Sequence, residues 1–177
     1  MKHRFRARGA GAWLLPFACA CGLSIAVESV PARAAGPPLR IEGMTFVSTH
    51  GALTEIVLEA ETAQVDVATD IAGLQRVHAV LSGEDGSVSL DITCDEGEFD
   101  LRTSHFVAKG DVRGRLGDGR SFRGPWLRFN SETGIAFTDA PVEITDGTRT
   151  FRGGGFRYHV RDGRLRLTSG ASVEEAP

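Results

Sequence analysis

The segment Phe106-Val107-Ala108-Lys109-Gly110-Asp111-Val112 returns about every thirty residues, with the same alternation of apolar and polar side chains. The next copy is Ile135-Ala136-Phe137-Thr138-Asp139-Ala140-Pro141-Val142, and the last is Leu165-Arg166-Leu167-Thr168-Ser169-Gly170-Ala171-Ser172-Val173. A weaker copy upstream joins Leu58-Glu59-Ala60 to Leu74-Gln75-Arg76-Val77. A fixed period of this length indicates one supersecondary unit that is stacked repeatedly, each copy burying the open face of its neighbour.

The repeated unit is built of β-strands. Apolar and polar residues alternate strictly in runs such as 56–60, 63–67, 88–94 and 106–116, which is the pattern of half-buried strands. After residue 34, no stretch shows sustained apolar spacing of 3.6 residues, so almost no helix is expected. The length of 177 residues predicts a single all-β domain, which we place at residues 44–177 after a linker at 35–43.

Turn residues separate the predicted strands. Four Asp-Gly pairs predict type I′ hairpins, and they are Asp85-Gly86, Asp118-Gly119, Asp146-Gly147 and Asp162-Gly163. The alternation slips phase at Gly124-Pro125-Trp126 and at Asp139-Ala140-Pro141, which predicts bulges or corners where a strand passes from one sheet to another. Gly153-Gly154-Gly155 is interpreted as a bend. Two facing sheets that are open along one side follow from this pattern.

Residues 1–34 are typical of an export segment. Lys2, Arg4, Arg6 and Arg8 precede an apolar run, and Ala32-Arg33-Ala34 offers a small-residue cleavage site. Two interpretations remain open: a cleaved signal peptide that delivers a soluble periplasmic protein, and an uncleaved anchor in the inner membrane.

Charge and cysteine content exclude several classes of protein. Residues 35–100 hold 13 Asp and Glu against two Arg, whereas residues 101–177 hold 13 Lys and Arg against nine Asp and Glu. Residues 35–177 taken together are acidic, and this net charge argues against nucleic acid as a partner. After residue 34, Cys94 stands alone and continues the apolar face of its strand, so we expect a buried thiol and no intrachain disulfide.

An apolar set from the three clear repeats is predicted to point inward, where it lines either an open groove or a filled sandwich core. Its members are Phe106, Val112, Leu127, Phe129, Ile135, Phe137, Val142, Phe156, Tyr158, Leu165 and Leu167. The arginines that alternate with this set are predicted to lie on a solvated outer face or to contact phosphates, and they are Arg113, Arg115, Arg128, Arg157, Arg164 and Arg166.

No motif predicts catalysis, a cofactor or a metal. His50, His78, His105 and His159 lack metal-ligand spacing, and a Gly-x-Ser-x-Gly elbow and a phosphate loop are absent from the sequence. Asp95, Glu96, Glu98 and Asp100 are predicted to crowd a hairpin. They would supply Ca²⁺ ligands or a glycosidase pair only if they converged in a pocket, and carboxylates that follow one another on a strand point to alternate faces.

These features together resemble the OstA-like lipopolysaccharide-transport family. The matching residues are Leu58-Glu59-Ala60-Glu61-Thr62-Ala63, Gly97-Glu98-Phe99-Asp100, Gly110-Asp111-Val112 and the copies that end at Val142 and Val173, within residues 44–175. Within this family the sequence resembles the LptC branch most, and the LptA-like soluble bridge proteins second.

The resemblance implies a twisted, V-shaped β-jelly-roll that is not an enzyme and that shields the lipid A acyl chains of lipopolysaccharide in its groove. It also implies periplasmic partners along open strand edges: the subunits of the inner-membrane lipopolysaccharide ABC transporter and an LptA-like bridge protein. The edge residues assigned to this pairing are Phe46, Val47, Leu165, Leu167 and Val173. A structural or carbohydrate-binding β-solenoid with a filled core is the alternative.

Overall fold

The computed structural model describes residues 38–50 and 53–175. Twelve β-strands occupy these ranges, and no described residue is helical. The first six are long: β1 (Leu39–His50), β2 (Leu53–Asp66), β3 (Ile71–Ser82), β4 (Val88–Asp100), β5 (Phe106–Leu116) and β6 (Ser121–Asn130). The last six are short: β7 (Ile135–Thr138), β8 (Val142–Asp146), β9 (Arg149–Gly153), β10 (Gly155–His159), β11 (Arg164–Thr168) and β12 (Ser172–Glu175).

The strands form one antiparallel sheet that does not close. Strands β1 to β6 follow one another in chain order, and the sheet then divides. One branch continues from the end of β6 through β7, β10 and β11, while the other continues from its beginning through β8, β9 and β12. The all-β prediction is confirmed.

The division of the sheet follows from the two predicted phase slips. Residues 121–123 of β6 pair with β8, residues 128–130 pair with β7, and Gly124-Pro125 lies between these two stretches. Asp139-Ala140-Pro141 separates β7 from β8, and Gly154 separates β9 from β10. Proline lacks the N–H that a strand ladder needs, so it favours such a break.

A line of irregular positions crosses the first five strands. The cross-strand pairing skips residues at Gly43 on β1, Glu61 on β2, Arg76 on β3, Asp95 on β4 and Gly110-Asp111 on β5. Gly43, Arg76, Gly110 and Asp111 have positive φ. Because bulges increase twist and bend a strand, this line lets one continuous sheet curve over its own inner face.

The Asp-Gly pairs lie at four hairpins, but they do not form the predicted type I′ turns. That turn requires positive φ at both central residues, and here Gly86, Gly119, Gly147 and Gly163 have positive φ while the preceding aspartates do not. At three of the turns the aspartate Oδ1 instead accepts a hydrogen bond from the backbone N–H two residues later, at Ser87, Arg120 and Arg164.

Two further predictions differ from the structure. Strand β1 begins at Leu39, within the segment 35–43 that was assigned to a linker. The acidic residues Asp95, Glu96, Glu98 and Asp100 lie within β4 rather than at a hairpin turn. The predictions for residues 1–34 fall outside the described residues. None of the described segments forms a helix with the length and hydropathy that a membrane crossing requires.

Candidate functional site

The inner face of the sheet is continuously apolar. Seven of the eleven predicted inward residues are at most 4% exposed, namely Phe106, Val112, Leu127, Phe129, Val142, Phe156 and Tyr158. They belong to one cluster of buried side chains that runs from β2 to β10. The candidate site is therefore this interior, formed by alternate side chains of strands that pair along the sheet.

Ile135 and Phe137 were predicted to point inward, and the structure places them on the opposite face. Ala136 and Thr138 are the buried residues of β7, and Ala136 lies opposite the buried Phe129 and Tyr158 in the neighbouring strands. The alternation correctly grouped Ile135 with Phe137. It cannot say which of two faces is inside, and the register with β6 and β10 decides that.

Strands that are not neighbours in the sheet meet across the interior. The ring of Phe46 on β1 lies 4.5 Å from that of Phe99 on β4, between ring centroids. Phe122 on β6 lies 5.1 Å from Phe156 on β10 in an edge-on arrangement. These contacts show that the interior side chains touch one another, so the interior is packed with protein side chains.

The N-terminal strands contribute much of this interior, although the predicted set omitted them. Their fully buried members include Ile56, Leu58, Leu81, Leu90, Ile92 and Phe99. Most of them belong to the alternating runs of β2 and β4, and the same alternation that predicts these strands also predicts an inward face for these residues.

A buried polar contact joins the two halves of the described sheet, the long strands β1–β6 and the short strands β7–β12, at one end of the interior. The Tyr158 hydroxyl on β10 donates to the Ser89 carbonyl oxygen on β4 at 2.8 Å and lies 2.9 Å from the Ser89 hydroxyl. The Ser89 hydroxyl in turn donates to the carbonyl oxygen of Val160. Because each group has a partner, this contact holds β4 and β10 together without leaving a buried polar atom unsatisfied.

The interior reaches the surface at the sheet edges. Ile41, Met44 and Phe46 on β1 are partly buried against the core cluster, and so are Leu165 and Leu167 on β11. Among the described strands, β1 pairs with β2 alone, β11 with β10 alone and β12 with β9 alone. The five residues assigned to edge pairing all lie on these three strands, with Val47 53% and Val173 60% exposed.

A match to a protein-family model shows the family of this chain. The model described as lipopolysaccharide-assembly, LptC-related, matches residues 24–173. The chain belongs to the LptC-related family. A comparison with curated protein sequences returned no match.

A solved structure supports the fold of this LptC-related chain. It is similar to the crystal structure of LptH, the LptA-homologous periplasmic component of the lipopolysaccharide transport device from Pseudomonas aeruginosa. The TM-score is 0.54 at 11% sequence identity, and the match covers 69% of this chain and 95% of LptH. At this identity the likeness shows the fold, which is the LptA-like jelly-roll.

The outer face of the LptC-related chain is polar. The six arginines predicted to alternate with the apolar set, from Arg113 to Arg166, are all exposed. Asp111 bridges two of them, Arg113 at 2.5 Å and Arg123 at 2.7 Å on the next strand. The hydrogen bond from Arg113 lowers the pKa of the Asp111 carboxyl, and Arg123 acts in the same direction.

Cys94 is buried, as predicted. Its Sγ donates to the Glu96 carbonyl oxygen, and burial raises the pKa of the thiol to about 11. A thiol in this state is not a nucleophile at neutral pH. Within the part of the chain that the structure describes, no group of His, Cys, Asp and Glu side chains is arranged to hold a metal ion.

Proposed function

We propose that this protein is a non-enzymatic periplasmic carrier that shields the lipid A acyl chains of lipopolysaccharide in its apolar interior. The observation that carries the proposal is the continuity of the apolar cluster from the deep interior to the partly buried residues of the edge strands β1 and β11. An acyl chain that enters between the two halves meets apolar side chains along the whole path.

The energetics of such an interior suit a lipid ligand. Burial of apolar surface contributes roughly 25 cal/mol per Å², and the contribution does not depend on a fixed geometry of the ligand. An interior that lacks charged side chains among its buried residues therefore accepts acyl chains of varied length.

Open strand edges support relay between partners. Edge strands present unpaired N–H and C=O groups, which a partner satisfies by adding its own strand. We assign one edge to the inner-membrane lipopolysaccharide ABC transporter and the other to an LptA-like bridge protein, through Phe46 and Val47 on β1 and through Leu165, Leu167 and Val173 on β11 and β12. In this scheme lipopolysaccharide moves toward the outer membrane, and the ATPase of the transporter supplies the energy.

Photo-crosslinking to lipopolysaccharide tests the proposal. A benzophenone side chain is placed at Phe129 in the interior, at Phe46 and Leu167 at the two edges, and at Val80 as the control. Val80 lies on β3 between the buried residues Ala79 and Leu81, so its side chain is on the outer face of the sheet. We expect lipid adducts at Phe129, Phe46 and Leu167, and none at Val80.

Adducts at Val80 that equal those at Phe129 would contradict an interior site. Folded variants without adducts at Phe129, Phe46 and Leu167 would favour the alternative of a structural or carbohydrate-binding protein with a filled core.

A further inference from the structure

Five side chains form a distinct patch on the outer face of β6, β7, β10 and β11. Arg128, Phe137, Arg157 and Arg166 stand directly opposite one another in a single row that crosses the four strands. Trp126 lies two residues from Arg128 on β6, and its ring is 6.1 Å from that of Phe137 in an edge-on arrangement. We name this patch of Trp126, Arg128, Phe137, Arg157 and Arg166 the aromatic–arginine face.

Two of its arginines repel each other without compensation. Arg157 and Arg166 are direct cross-strand partners, and like charges in that position destabilise a sheet. Arg113 and Arg123 form the same kind of pair, and there Asp111 binds both guanidinium groups. In the described part of the chain, no carboxylate forms an ion pair with Arg157 or Arg166. The second pair therefore has no counter-charge among the described residues and is open to an anion from outside the chain.

The chemistry of the patch favours phosphate. The planar fork of a guanidinium group binds a phosphate through two parallel hydrogen bonds, and two adjacent forks double the number of donors. Arg157 also stacks over Phe137, with its Cζ 5.4 Å from the ring centroid, which holds that side chain against the face.

The aromatic residues favour a membrane surface over a soluble anion. Tryptophan is enriched at the level of the lipid headgroups because its ring has an apolar body and a polar N–H. Trp126 and Phe137 are both partly exposed beside the arginines.

The charge of the chain is also segregated toward this end. Residues 101–177 carry 13 basic against nine acidic side chains, and residues 35–100 carry two against 13. An anionic surface attracts the first part and repels the second, so it favours an orientation in which residues 101–177, which carry the aromatic–arginine face, lie nearer the membrane.

We propose that the aromatic–arginine face docks on an anionic phospholipid surface, with the Arg157–Arg166 pair binding a headgroup phosphate and Trp126 and Phe137 lying among the headgroups. The site is on the opposite face of the sheet from the apolar interior. It is thus independent of the function proposed above, and each proposal survives the failure of the other.

Tryptophan fluorescence of the full-length chain tests the site directly. The sequence has two tryptophans, so a Trp13→Phe background leaves Trp126 as the reporter beside the arginines. The probes are phosphatidylcholine vesicles with and without phosphatidylglycerol, each containing lipids that are brominated near the headgroup and quench nearby tryptophan. We expect Trp126 quenching with the anionic vesicles and much less with the zwitterionic ones.

A matched pair of double variants separates site binding from bulk charge. Arg157→Gln/Arg166→Gln and Arg113→Gln/Arg123→Gln each remove two exposed charges from a directly opposed cross-strand pair. The first is expected to weaken anionic-vesicle binding on the order of tenfold or more, since a basic residue near an anionic surface contributes about 1 kcal/mol. The second is expected to leave it within about twofold. Circular dichroism confirms that both variants fold.

Several results would overturn the proposal. Equal losses in the two double variants would show non-specific attraction, and equal quenching by both vesicle types would show apolar adsorption. Loss of binding to a polyglutamate peptide in Arg157→Gln/Arg166→Gln, with vesicle binding intact, would assign the face to an acidic protein. Lipopolysaccharide crosslinking at Phe129 in the same variant reports separately on the interior.

Discussion

Gly155 illustrates how one residue allows the sheet to divide. A Cβ atom at this position would lie 2.8 Å from the Thr168 Oγ1 and 2.9 Å from the Asp139 Cα. The first contact is with β11 and the second is with the segment between β7 and β8. The glycine therefore lets the chain pass from β9 into β10 between two neighbours that leave no room for a side chain.

We expect Gly155→Ala to lower the free energy of unfolding by about 1–3 kcal/mol, because the added methyl group overlaps backbone that cannot move away cheaply. Urea unfolding followed by circular dichroism measures the change. Gly73→Ala is the matched control. That glycine lies in β3 and is exposed, and its Cβ would have the Gln64 carbonyl oxygen as its nearest neighbour at 4.0 Å. The control should be neutral or slightly stabilising, and an equal loss in both variants would contradict the packing argument.

The strand-forming residues could be assigned from sequence more securely than the direction of their side chains. Seven of the predicted inward residues are buried because their strands alternate and because the larger apolar side chains of those strands are the buried ones. In β7 the small residue Ala136 is buried, while the larger Phe137 lies outside against Trp126 and Arg157. Size and hydrophobicity predict the wrong face there, because the ring of Phe137 packs against Trp126 and Arg157 on the outer face.

At the scale of elements, the aspartates of the hairpins stabilise turns through their side chains. In the β5–β6 turn, the Asp118 Oδ1 accepts from the Arg120 N–H at 3.1 Å, and its Oδ2 accepts from the Arg120 Nε at 2.8 Å. The side-chain hydrogen bond from Arg120 is the main cause of a lowered pKa at Asp118, with the backbone N–H acting in the same direction. Sequence predicted the positions of these turns. It did not predict their conformation, which depends on this local competition for the aspartate.

The lowered pKa of Asp118 predicts acid-sensitive stability. The unfolded chain binds this proton more tightly than the folded one, so the stabilisation is fully present above the unfolded pKa of about 3.9 and is lost as the pH falls through the folded pKa. Asp118→Asn keeps an oxygen that can accept from the Arg120 N–H but removes the charge. We therefore expect the unfolding midpoint of the variant to fall less than that of the wild type between pH 6 and pH 2.

Asp66→Asn provides the comparison for that experiment. Asp66 also accepts a hydrogen bond from the N–H two residues later, at Ala68 and 2.9 Å, and no arginine of the described residues pairs with it. If both substitutions flatten the pH profile equally, the arginine is not the source of the effect.

At the scale of the whole molecule, the Tyr158–Ser89 contact joins strands that the sheet itself does not pair. Ser89→Ala removes the side-chain donor to the buried Val160 carbonyl oxygen, which costs about 1–3 kcal/mol. After Tyr158→Phe the Ser89 carbonyl oxygen still accepts from the Gly117 N–H, and after Ser89→Ala it can still accept from Tyr158. The two substitutions therefore share only the contact between the two hydroxyl groups, and we expect a coupling of roughly 0.5 kcal/mol or more in a double-mutant cycle measured by urea unfolding.

Ser87→Ala is the control for that cycle. Ser87 lies in the same hairpin as Ser89, and its hydroxyl donates to the nearby Asp85 rather than across the interior. It should be additive with Tyr158→Phe. Additivity of the Ser89 pair as well would show that the contact between the two hydroxyl groups does not contribute to stability.

The repeat predicted the all-β class, and the phase slips at Gly124-Pro125 and Asp139-Ala140-Pro141 predicted where the sheet divides. The line of irregular positions through β1 to β5 is not predicted by the sequence pattern. On β5, Gly110 and Asp111 stand against one residue of β6, and buried Ala108 and Val112 on either side still alternate in phase, so the pattern is that of an unbroken strand. Apolar–polar alternation shows which residues of a strand share a face. It does not reveal an irregularity after which the alternation continues in the same phase.

The contacts between Phe46 and Phe99 and between Phe122 and Phe156 have a consequence for the proposed transport. Cargo and protein compete for the same apolar surface, because the walls cover one another when no lipid lies between them. In the proposed transport, lipid binding has to separate these side chains and expand the interior, and lipid release lets them pack again. The lost side-chain contacts lower the affinity for the lipid. A low affinity favours transfer of the lipid from one protein to the next.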